Sequence, residues 1–298
     1  LDAVHKDRFR QLIPNLLPPG GYADNADEAE SLADELRAPL ILKPGDGGGG
    51  KGITVLDNPN KANVRAAFKY ACAAGRSRRV IVEDFLPRAL LGAESLVPDG
   101  DIHLLPIADN IVSAPPRCIT LGVAFPTNLP ADTVSTIREV NRAAIERLDI
   151  HWGATHIDMA LDAEGHPRII DIGPRLAGGE IMARLVPTSY DYDVYGAVLS
   201  LAVGQVPGAP GKPDGRFYAT RFLTPGKAGV LRSVDYDETK LAGYQIMSIR
   251  QLIPDGTVLG GPHDDGGRVL MFTASARSHE TLNDVLDDFT SCVRVDIT

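Results

Sequence analysis

The sequence predicts an α+β protein, and two stretches of the chain carry that prediction. Residues 37–86 have the pattern of a strand, a glycine loop, a second strand, a helix and a third strand, which would form a small lobe. Residues 155–172 have the pattern of two apolar strands around a turn at Glu164 and Gly165, which predicts a β-hairpin. The helices predicted from periodicity lie at residues 4–16, 24–36, 60–74, 132–147, 192–201 and 279–288.

Composition limits the classes of protein to which the chain can belong. Its 298 residues are 44% hydrophobic and 23% charged, which is typical of a soluble globular protein. No apolar run approaches the roughly 20 residues that cross a bilayer, and the net charge of −9 argues against a nucleic-acid partner. Cys72, Cys118 and Cys292 lie far apart without a CxxC pair, so we expect reduced thiols in a cytoplasmic protein.

The glycine run from Gly45 to Gly52 is the most unusual stretch. Gly45 to Lys51 fits the start of a P-loop, GxxxxGK, but Gly52 stands where a magnesium-binding Ser or Thr would follow. A β-branched run comes next, not a helix whose N-terminus could receive phosphate. We therefore predict a mobile hairpin tip whose backbone N–H groups approach phosphate oxygens, with Lys43 and Lys51 adding positive charge. A flexible surface linker is the alternative.

An apolar strand after this lobe ends in Glu83, Asp84, Phe85 and Leu86. Such a strand end can present backbone N–H and C=O groups to an adenine edge while Phe85 and Leu86 line the pocket. Taken alone, the pattern favours an ordinary buried strand with a solvated end. Glu94, in a GxE motif, could accept hydrogen bonds from ribose hydroxyls.

The predicted hairpin places two carboxylates face to face. With Glu164 and Gly165 at the turn, Asp158 lies directly opposite Asp171, and Ile170 belongs to the other face of the hairpin. Facing like charges destabilise a sheet, whereas a magnesium ion with oxygen ligands neutralises them. The pattern therefore predicts a metal site, with a solvated hairpin as the alternative.

Two further residues flank this hairpin. Arg175 follows the second strand, where its guanidinium could bind a transferring phosphoryl group or a carboxylate through two hydrogen bonds. His156 lies opposite Gly173 in the same register, and we interpret it as a packed or solvated histidine.

The glycine hairpin, the strand ending in acids, the GxE motif and the acid hairpin closed by an arginine occur in the order found in the ATP-grasp superfamily. The resemblance runs from about Lys6 to Gly204. The stretch from Asp171 to Gly179 is similar to the corresponding ending of amino-acid ligases that make dipeptides, as is residues 226–230 of the tail. The resemblance implies an ATP-grasp fold, with two α/β lobes gripping ATP and a small C-terminal α+β extension.

The resemblance also implies roles for individual residues, with ATP and Mg²⁺ as cofactors. It assigns Lys6 and Lys43 to the phosphates, Asp158 and Asp171 to the metal, and catalysis to Lys43 and Arg175. The complete predicted nucleotide-binding set is Lys6, Lys43, Asp46, Gly48, Gly49, Gly50, Lys51, Glu83, Asp84, Phe85, Leu86 and Glu94.

Three features depart from the family pattern. Asp171 stands where Glu is usual, and Gly173 stands where an Asn ligand is common. The chain begins at Leu1 without a signal peptide and without the N-terminal domain that usually precedes the first lysine, so we expect part of the acceptor pocket to lie outside it. The four predicted segments are entry helices at 1–36, the lid lobe with the glycine loop at 37–86, the central lobe with the metal hairpin at 87–204, and the C-terminal extension at 205–298.

The function implied is an ADP-forming carboxylate–amine ligase acting on small molecules. ATP would phosphorylate a substrate carboxylate, and an amine would attack the resulting acyl phosphate. Biotin-carboxylase-like chemistry is one alternative, and a nucleotide-binding domain with weakened catalysis is another. The partners expected are small-molecule carboxylate and amine substrates, without nucleic acid or membrane, and a homodimer is left open.

Overall fold

The structure of the protein is a computed structural model that describes residues 6–261 and 265–298. Within these ranges, runs of consecutive strands are separated by helices, which is the pattern of an α+β fold. The α-helices are α1 (Lys6–Leu12), α2 (Ala26–Glu35), α3 (Lys61–Ala74), α4 (Ala131–Arg147), α5 (Val186–Tyr190), α6 (Val194–Ala202) and α7 (His279–Cys292). The strands are β1 (Gly20–Ala23), β2 (Leu40–Pro44), β3 (Thr54–Leu56), β4 (Val80–Asp84), β5 (Arg88–Val97), β6 (His103–Val112), β7 (Thr120–Phe125), β8 (Gly153–Leu161), β9 (Pro167–Gly173), β10 (Phe217–Leu223), β11 (Gly229–Tyr236), β12 (Gln245–Gln251), β13 (Val258–Leu259), β14 (Leu270–Ala276) and β15 (Val293–Ile297).

The chain forms two compact units. The first comprises Leu1–Leu104, Val112–Ile119 and Leu129–Leu176, and the second comprises Leu105–Ile111, Thr120–Asn128 and Ala177–Thr298. The segment boundaries predicted after residues 36, 86 and 204 divide the chain more finely than these units do, and they stay predictions.

The first unit contains an antiparallel four-stranded sheet, which we call the lid sheet, in the order β1-β4-β2-β3. Helices α2 and α3 pack on it around a core that includes Ala29, Leu42 and Ala71. Asn60 begins α3 with a capping box, which satisfies N–H groups of its first turn. Because β1 and α2 belong to this layer, the lobe extends back to Gly20, a stretch that the sequence assigned to the preceding entry helices.

The first unit also contains an antiparallel arrangement of β5, β8 and β9, with β8 in the middle. Ile157, Met159 and Ile169 are fully buried on one face of the β8–β9 hairpin. Their burial fixes the register of the strands, since a one-residue slip would turn the whole set to the other face.

The second unit contains the strand order β12-β14-β10-β7-β6 and a small sheet of β13, β11 and β15. The predicted helix at residues 279–288 is confirmed as α7, which begins after the N-cap Ser278 and extends to Cys292. It packs on β14 and β10, with the rings of Phe272 and Phe289 stacked at 3.9 Å between centroids. Residues 204–215 contain no regular element.

Two predictions from composition concern membranes and cysteines. No helix in residues 6–261 and 265–298 is long and apolar enough to cross a membrane. Cys72, Cys118 and Cys292 are free thiols, as predicted.

Candidate nucleotide and metal site

A buried lysine lies at the centre of the candidate site. The side chain of Lys43, on β2, is 8% exposed and forms an ion pair with Glu83 on the neighbouring strand β4. Its Nζ also donates to the carbonyl oxygen of Ile170 at 2.9 Å. Arg10, on α1, donates to the other carboxylate oxygen of Glu83 at 2.6 Å. Two cations therefore share one buried carboxylate, which offsets the cost of burying their charges.

These contacts give Glu83 a structural role that the sequence did not indicate. Its side chain is 2% exposed, and its carboxylate is engaged by Lys43 and Arg10. Its strand pairs with β1 on one side and β2 on the other. Glu83 thus positions Lys43, and its predicted contact with adenine stays a prediction.

The hairpin places Asp158 directly opposite Asp171, as predicted. The pairing of the residues between the turn and these two aspartates differs from the predicted pairing. Next to the turn, Met159 pairs with Ile169, one residue out of the predicted register, and a β-bulge at Ile170 then restores it before Asp171. Ile169 is therefore the buried residue, and Ile170, predicted for that buried face, is only partly buried.

The bulge has a direct consequence for the site. A bulged residue is left out of the regular ladder, so its backbone groups are available to other partners. The carbonyl oxygen of Ile170 accepts the hydrogen bond from Lys43. The irregularity that the sequence pattern did not predict is thus a point at which the lid sheet contacts the β8–β9 hairpin.

One face of β5, β8 and β9 carries the remaining acids. Glu94 on β5 lies opposite His156 on β8, and Asp158 is two residues after His156 on β8. His156 Nδ1 pairs with the carboxylate of Glu94, and His156 Nε2 lies 3.4 Å from Asp158 Oδ1. The imidazole, 15% exposed, therefore bridges two acids instead of facing solvent.

This position changes the protonation of His156. Burial opposes the charged imidazolium, but the nearby carboxylates of Asp158 and Glu94 outweigh it and raise the pKa of His156 to about 10. A protonated His156 at this position offsets part of the negative charge of Glu94 and Asp158. A spacing of two residues from Asp158 on a strand was the signal in the sequence that could have revealed this role.

The glycine loop is anchored at both ends and open at its tip. Asp46 accepts hydrogen bonds from the backbone N–H groups of Arg76 and Ser77, just after α3. At the other end, a Cβ on Gly52 would lie 2.6 Å from Ala74 Cβ, and Gly52 has a φ of +75°. Only glycine fits such a position without strain. Asp46 therefore anchors the loop, and its predicted part in nucleotide binding stays a prediction.

The tip consists of the predicted phosphate-binding glycines. A Cβ added at Gly48 or Gly49 would meet no atom within 4 Å. Gly49 and Gly50 have φ values of +64° and +72°, a region that glycine adopts without steric cost. Lys51 is exposed beside them. The tip thus offers glycine backbone in open space, and the exposed ammonium group of Lys51, to a phosphate group.

The predicted adenine strand ends where expected, but part of its backbone is already bonded. Asp84 donates its N–H to Pro19 at 3.0 Å, and Phe85 donates its N–H to Pro39 at 2.8 Å. Burial raises the pKa of the Asp84 carboxyl, although the N–H and the charge of Arg37 oppose the change. Leu86, which follows, is partly buried outside any strand. Of the predicted hinge, the backbone of Leu86 is therefore best placed to meet adenine.

Arg175 and Gly173 lie side by side at the end of β9. The exposed Arg175 donates to the carbonyl oxygen of Leu176 at 3.0 Å. A Cβ on Gly173 would lie 3.2 Å from Arg175 Cγ and 3.3 Å from its Nε. The arginine side chain therefore lies over the position where the family pattern described above predicts an Asn ligand.

One predicted residue, Lys6, lies at the start of the described chain. Lys6 begins α1, but its side chain lies outside the described part of the structure. Arg10, on the same helix, was not predicted, and its charge partner Glu83 is 73 residues away, so no local pattern could have indicated it.

The donor set fits Mg²⁺ bound together with phosphate. Within residues 6–261 and 265–298, no three His, Cys, Asp or Glu side chains are grouped to hold a metal ion. Asp158 and Asp171 instead offer two facing carboxylates, and magnesium on a nucleotide commonly uses one or two carboxylates plus phosphate oxygens and water.

Together, the lid sheet, the glycine hairpin and the acid hairpin define an ATP-grasp domain. The chain belongs to the ATP-grasp family, because the model of the ATP-grasp domain matches residues 10–179. The predicted fold and the predicted family are thereby confirmed.

Three known proteins illustrate the relationship. The chain is 26% identical over 275 residues to the uncharacterised protein y4rH of Sinorhizobium fredii, covering 89% of this chain and 56% of y4rH. It is 25% identical over 200 residues to the carbamoyl phosphate synthase large chain of Myxococcus xanthus, covering 61% of this chain and 18% of that protein. The crystal structure of an L-amino acid ligase from Bacillus licheniformis superposes with a TM-score of 0.81 at 20% identity, covering 100% of this chain and 73% of the ligase.

These figures define what the likeness shows. At 20% identity the ligase shares the fold with this chain. The chain spans little more than half the length of y4rH and less than a fifth of the synthase.

Proposed function

We propose that this chain is the ATP-binding body of an ADP-forming ligase that joins a carboxylate to an amine, with amino acids as the substrate class. The observation that carries the proposal is the pair of Asp158 and Asp171, which face each other on one partly exposed face. Such a pair is unfavourable unless a cation lies between or beside the two charges. The imidazole of His156, 3.4 Å from Asp158, supplies part of that charge, and magnesium bound with ATP would supply the rest.

The nucleotide would be held by groups from the lid sheet and the strand that follows it. Backbone N–H groups of the glycine tip and Lys51 would approach the terminal phosphates. Lys43 would contribute its ammonium charge from the bulge at Ile170, where Glu83 fixes its position. Leu86 would meet adenine, and Glu94 lies on the same face as the acids.

Magnesium would neutralise charge on the transferring phosphoryl group, and Asp158 and Asp171 would hold it. The residue at position 173 has no side chain to add a third protein ligand, so water or phosphate oxygens would complete the coordination. Arg175 is exposed at the end of β9, and its guanidinium could swing to the transferring phosphoryl group.

The reaction would proceed in two transfers. An oxygen of the substrate carboxylate attacks the γ-phosphorus, the bond from that phosphorus to the β–γ bridging oxygen breaks, and ADP leaves. The amine nitrogen then attacks the acyl carbon, and phosphate leaves with the former carboxylate oxygen while the nitrogen loses a proton to solvent. Positioning and electrostatics are the main requirements of such transfers. The glycine tip would cover the acyl phosphate and exclude water.

Amino-acid substrates are supported by two observations. The stretch from Asp171 to Gly179 is similar to the ending of dipeptide-forming ligases, and the L-amino acid ligase of Bacillus licheniformis has the same fold over the whole of this chain. The amine and the carboxylate would then both belong to amino acids.

An ADP-release assay tests the proposal. Purified protein is incubated with ATP and magnesium, and amino acids are supplied singly and in pairs. We expect ADP to form only when one molecule supplies the carboxylate and another supplies the amine, together with a stoichiometric amide product. Release that requires bicarbonate would identify a carboxylase instead. Binding of ATP without turnover on any mixture would identify a nucleotide-binding domain.

A further inference from the structure

The short loop between β6 and β7 covers the edge of the lid sheet. We call residues 113–119 the arm. Ser113 donates its N–H to the carbonyl oxygen of Ile119 at 2.8 Å, and the N–H of Ile119 donates to Ser113 Oγ at 2.9 Å. These bonds close the arm at its base. Near its tip, the carbonyl oxygen of Pro116 accepts from the N–H of Val55 at 3.0 Å. The arm therefore bonds to β3, the edge strand of the lid sheet.

The arm presents one cation to the lid sheet. The Nη1 of Arg117 lies 3.2 Å from the carbonyl oxygen of Ile53 and 3.2 Å from Thr54 Oγ1. Its guanidinium carbon lies 4.4 Å from the centre of the Tyr70 ring, on α3. Hydrogen bonds to β3 and a cation–π contact to α3 thus come from a single, partly buried side chain.

The same two elements, β3 and α3, hold the two ends of the glycine loop. Ile53 and Thr54 directly follow Gly52, the last glycine of the run. Gly52 packs against Ala74 at the end of α3, and the other root of the loop is anchored just after α3 by Asp46. A side chain that joins β3 to α3 therefore fixes the geometry of both roots, while the tip at Gly48 and Gly49 stays in open space.

We propose that Arg117 is a positioning residue for the glycine loop: it holds β3 and α3 together so that the tip closes over nucleotide phosphates from a fixed base. The inference rests on the proposed function in one respect only, that the loop covers a nucleotide. Arg117 itself touches the roots of the loop, so its effect on the nucleotide passes through Ile53, Thr54 and Tyr70.

Three variants separate this role from a general contribution to stability. Arg117→Ala removes both kinds of contact, and Arg117→Lys keeps the charge but loses the planar stacking on Tyr70. Arg232→Ala is the matched control, since Arg232 is an exposed arginine that donates to Thr298 Oγ1 in the second unit. Hydrogen exchange of the nucleotide-free protein is measured for residues 45–56 and for α4, followed by the Kd for a non-hydrolysable ATP analogue with magnesium and by kcat.

In Arg117→Ala we expect exchange in residues 45–56 to rise about threefold or more while α4 is unchanged, which marks a local opening. The Kd for the analogue should rise about tenfold, because binding must then supply the free energy of ordering the loop that the charge-assisted contacts of Arg117 supply in the wild type, with a smaller change in kcat. Arg117→Lys should be intermediate, and Arg232→Ala should match the wild type.

Unchanged exchange at 45–56, or a rise spread evenly over the chain, overturns the positioning role. An unchanged Kd in a protein whose loop exchanges faster also overturns it. Failure of the proposed ligase reaction gives a different result, because ADP release would be missing from the wild type while the effect of Arg117 on exchange and analogue binding remained.

Discussion

The ammonium group of Lys43 lies 2.9 Å from the carbonyl oxygen of Ile170, the bulged residue of the metal hairpin. The same ammonium pairs with the buried Glu83, which Arg10 also contacts. A cation predicted to bind phosphate is therefore already fixed between the lid sheet and the strand that carries Asp171. Its position depends on a backbone irregularity and on a carboxylate in another strand.

The pairing of Lys43 with Glu83 predicts a non-additive effect on stability. Lys43→Met leaves the buried carboxylate with Arg10 alone and should cost about 2–4 kcal/mol in urea unfolding, as expected when one partner of a buried pair is removed. Adding Glu83→Gln should destabilise the protein by clearly less than the sum of the two single changes. Lys51→Met, an exposed lysine of the glycine loop, serves as control and should change the unfolding free energy by less than about 0.5 kcal/mol. Additive effects of Lys43 and Glu83 would contradict the pairing.

Asp158 should be needed for turnover and not for folding. Asp158→Asn removes the repulsion with Asp171 but also the attraction to His156, so the unfolding free energy should change by about 1 kcal/mol or less. Magnesium-dependent ADP release should fall about 100-fold or more, because a metal ligand is lost. Asp162→Asn, on the same hairpin, removes the ion pair with Arg168 and should leave turnover intact. Strong unfolding by Asp158→Asn with activity retained would refute the metal role.

Gly173 should limit the affinity for magnesium. The three atoms nearest to a Cβ at this position all belong to the exposed side chain of Arg175, which has room in solvent to move aside. Gly173→Asn should therefore fold normally and lower the Kd for magnesium, measured with the ATP analogue present, by about tenfold through an added oxygen ligand. Gly173→Ala displaces Arg175 equally without adding a ligand. If both variants change the Kd alike, displacement of Arg175 is the cause and the ligand argument fails.

The position of His156 predicts a pH dependence for the metal-free protein. Its pKa is raised to about 10 in the folded state, so its protonation stabilises the fold fully below the unfolded pKa near 6.5 and is lost as pH rises through about 10. With a chelator present, wild type should lose stability relative to His156→Gln between these limits. Proton NMR of the imidazole gives the pKa directly. A titration midpoint near 6.5 would show that Glu94 and Asp158 do not hold the charge.

Local patterns in the sequence predicted much of this site. Alternating apolar residues and a turn fixed the hairpin, and glycines followed by β-branched residues indicated a loop between strands and not a P-loop. The facing of Asp158 and Asp171 came from turn geometry, yet it holds because the bulge at Ile170 compensates for a turn displaced by one residue. A bulge adds one residue to one strand and leaves no periodic signal.

The features that the sequence did not predict depend on contacts between residues that are far apart in the sequence. The four-residue strand β1 is Gly-Gly-Tyr-Ala, too short and too glycine-rich to show a strand pattern, and it forms because β4 offers a free edge. Arg10 and Arg117 act on partners 73 and 64 residues away. The π-helix Ile181–Leu185 follows Glu180, which has a φ of +64°, a conformation that propensity does not foresee for glutamate.

The central claim is that a substrate carboxylate is activated as an acyl phosphate, and an oxygen-transfer experiment tests it most directly. An amino acid labelled with ¹⁸O in its carboxylate is incubated with ATP, magnesium and an amine acceptor, and the inorganic phosphate is analysed by mass spectrometry. We expect one ¹⁸O atom in each phosphate released, because the carboxylate oxygen leaves with phosphorus when the amine attacks. Phosphate that contains oxygen from water or bicarbonate, with none from the carboxylate, would contradict the account.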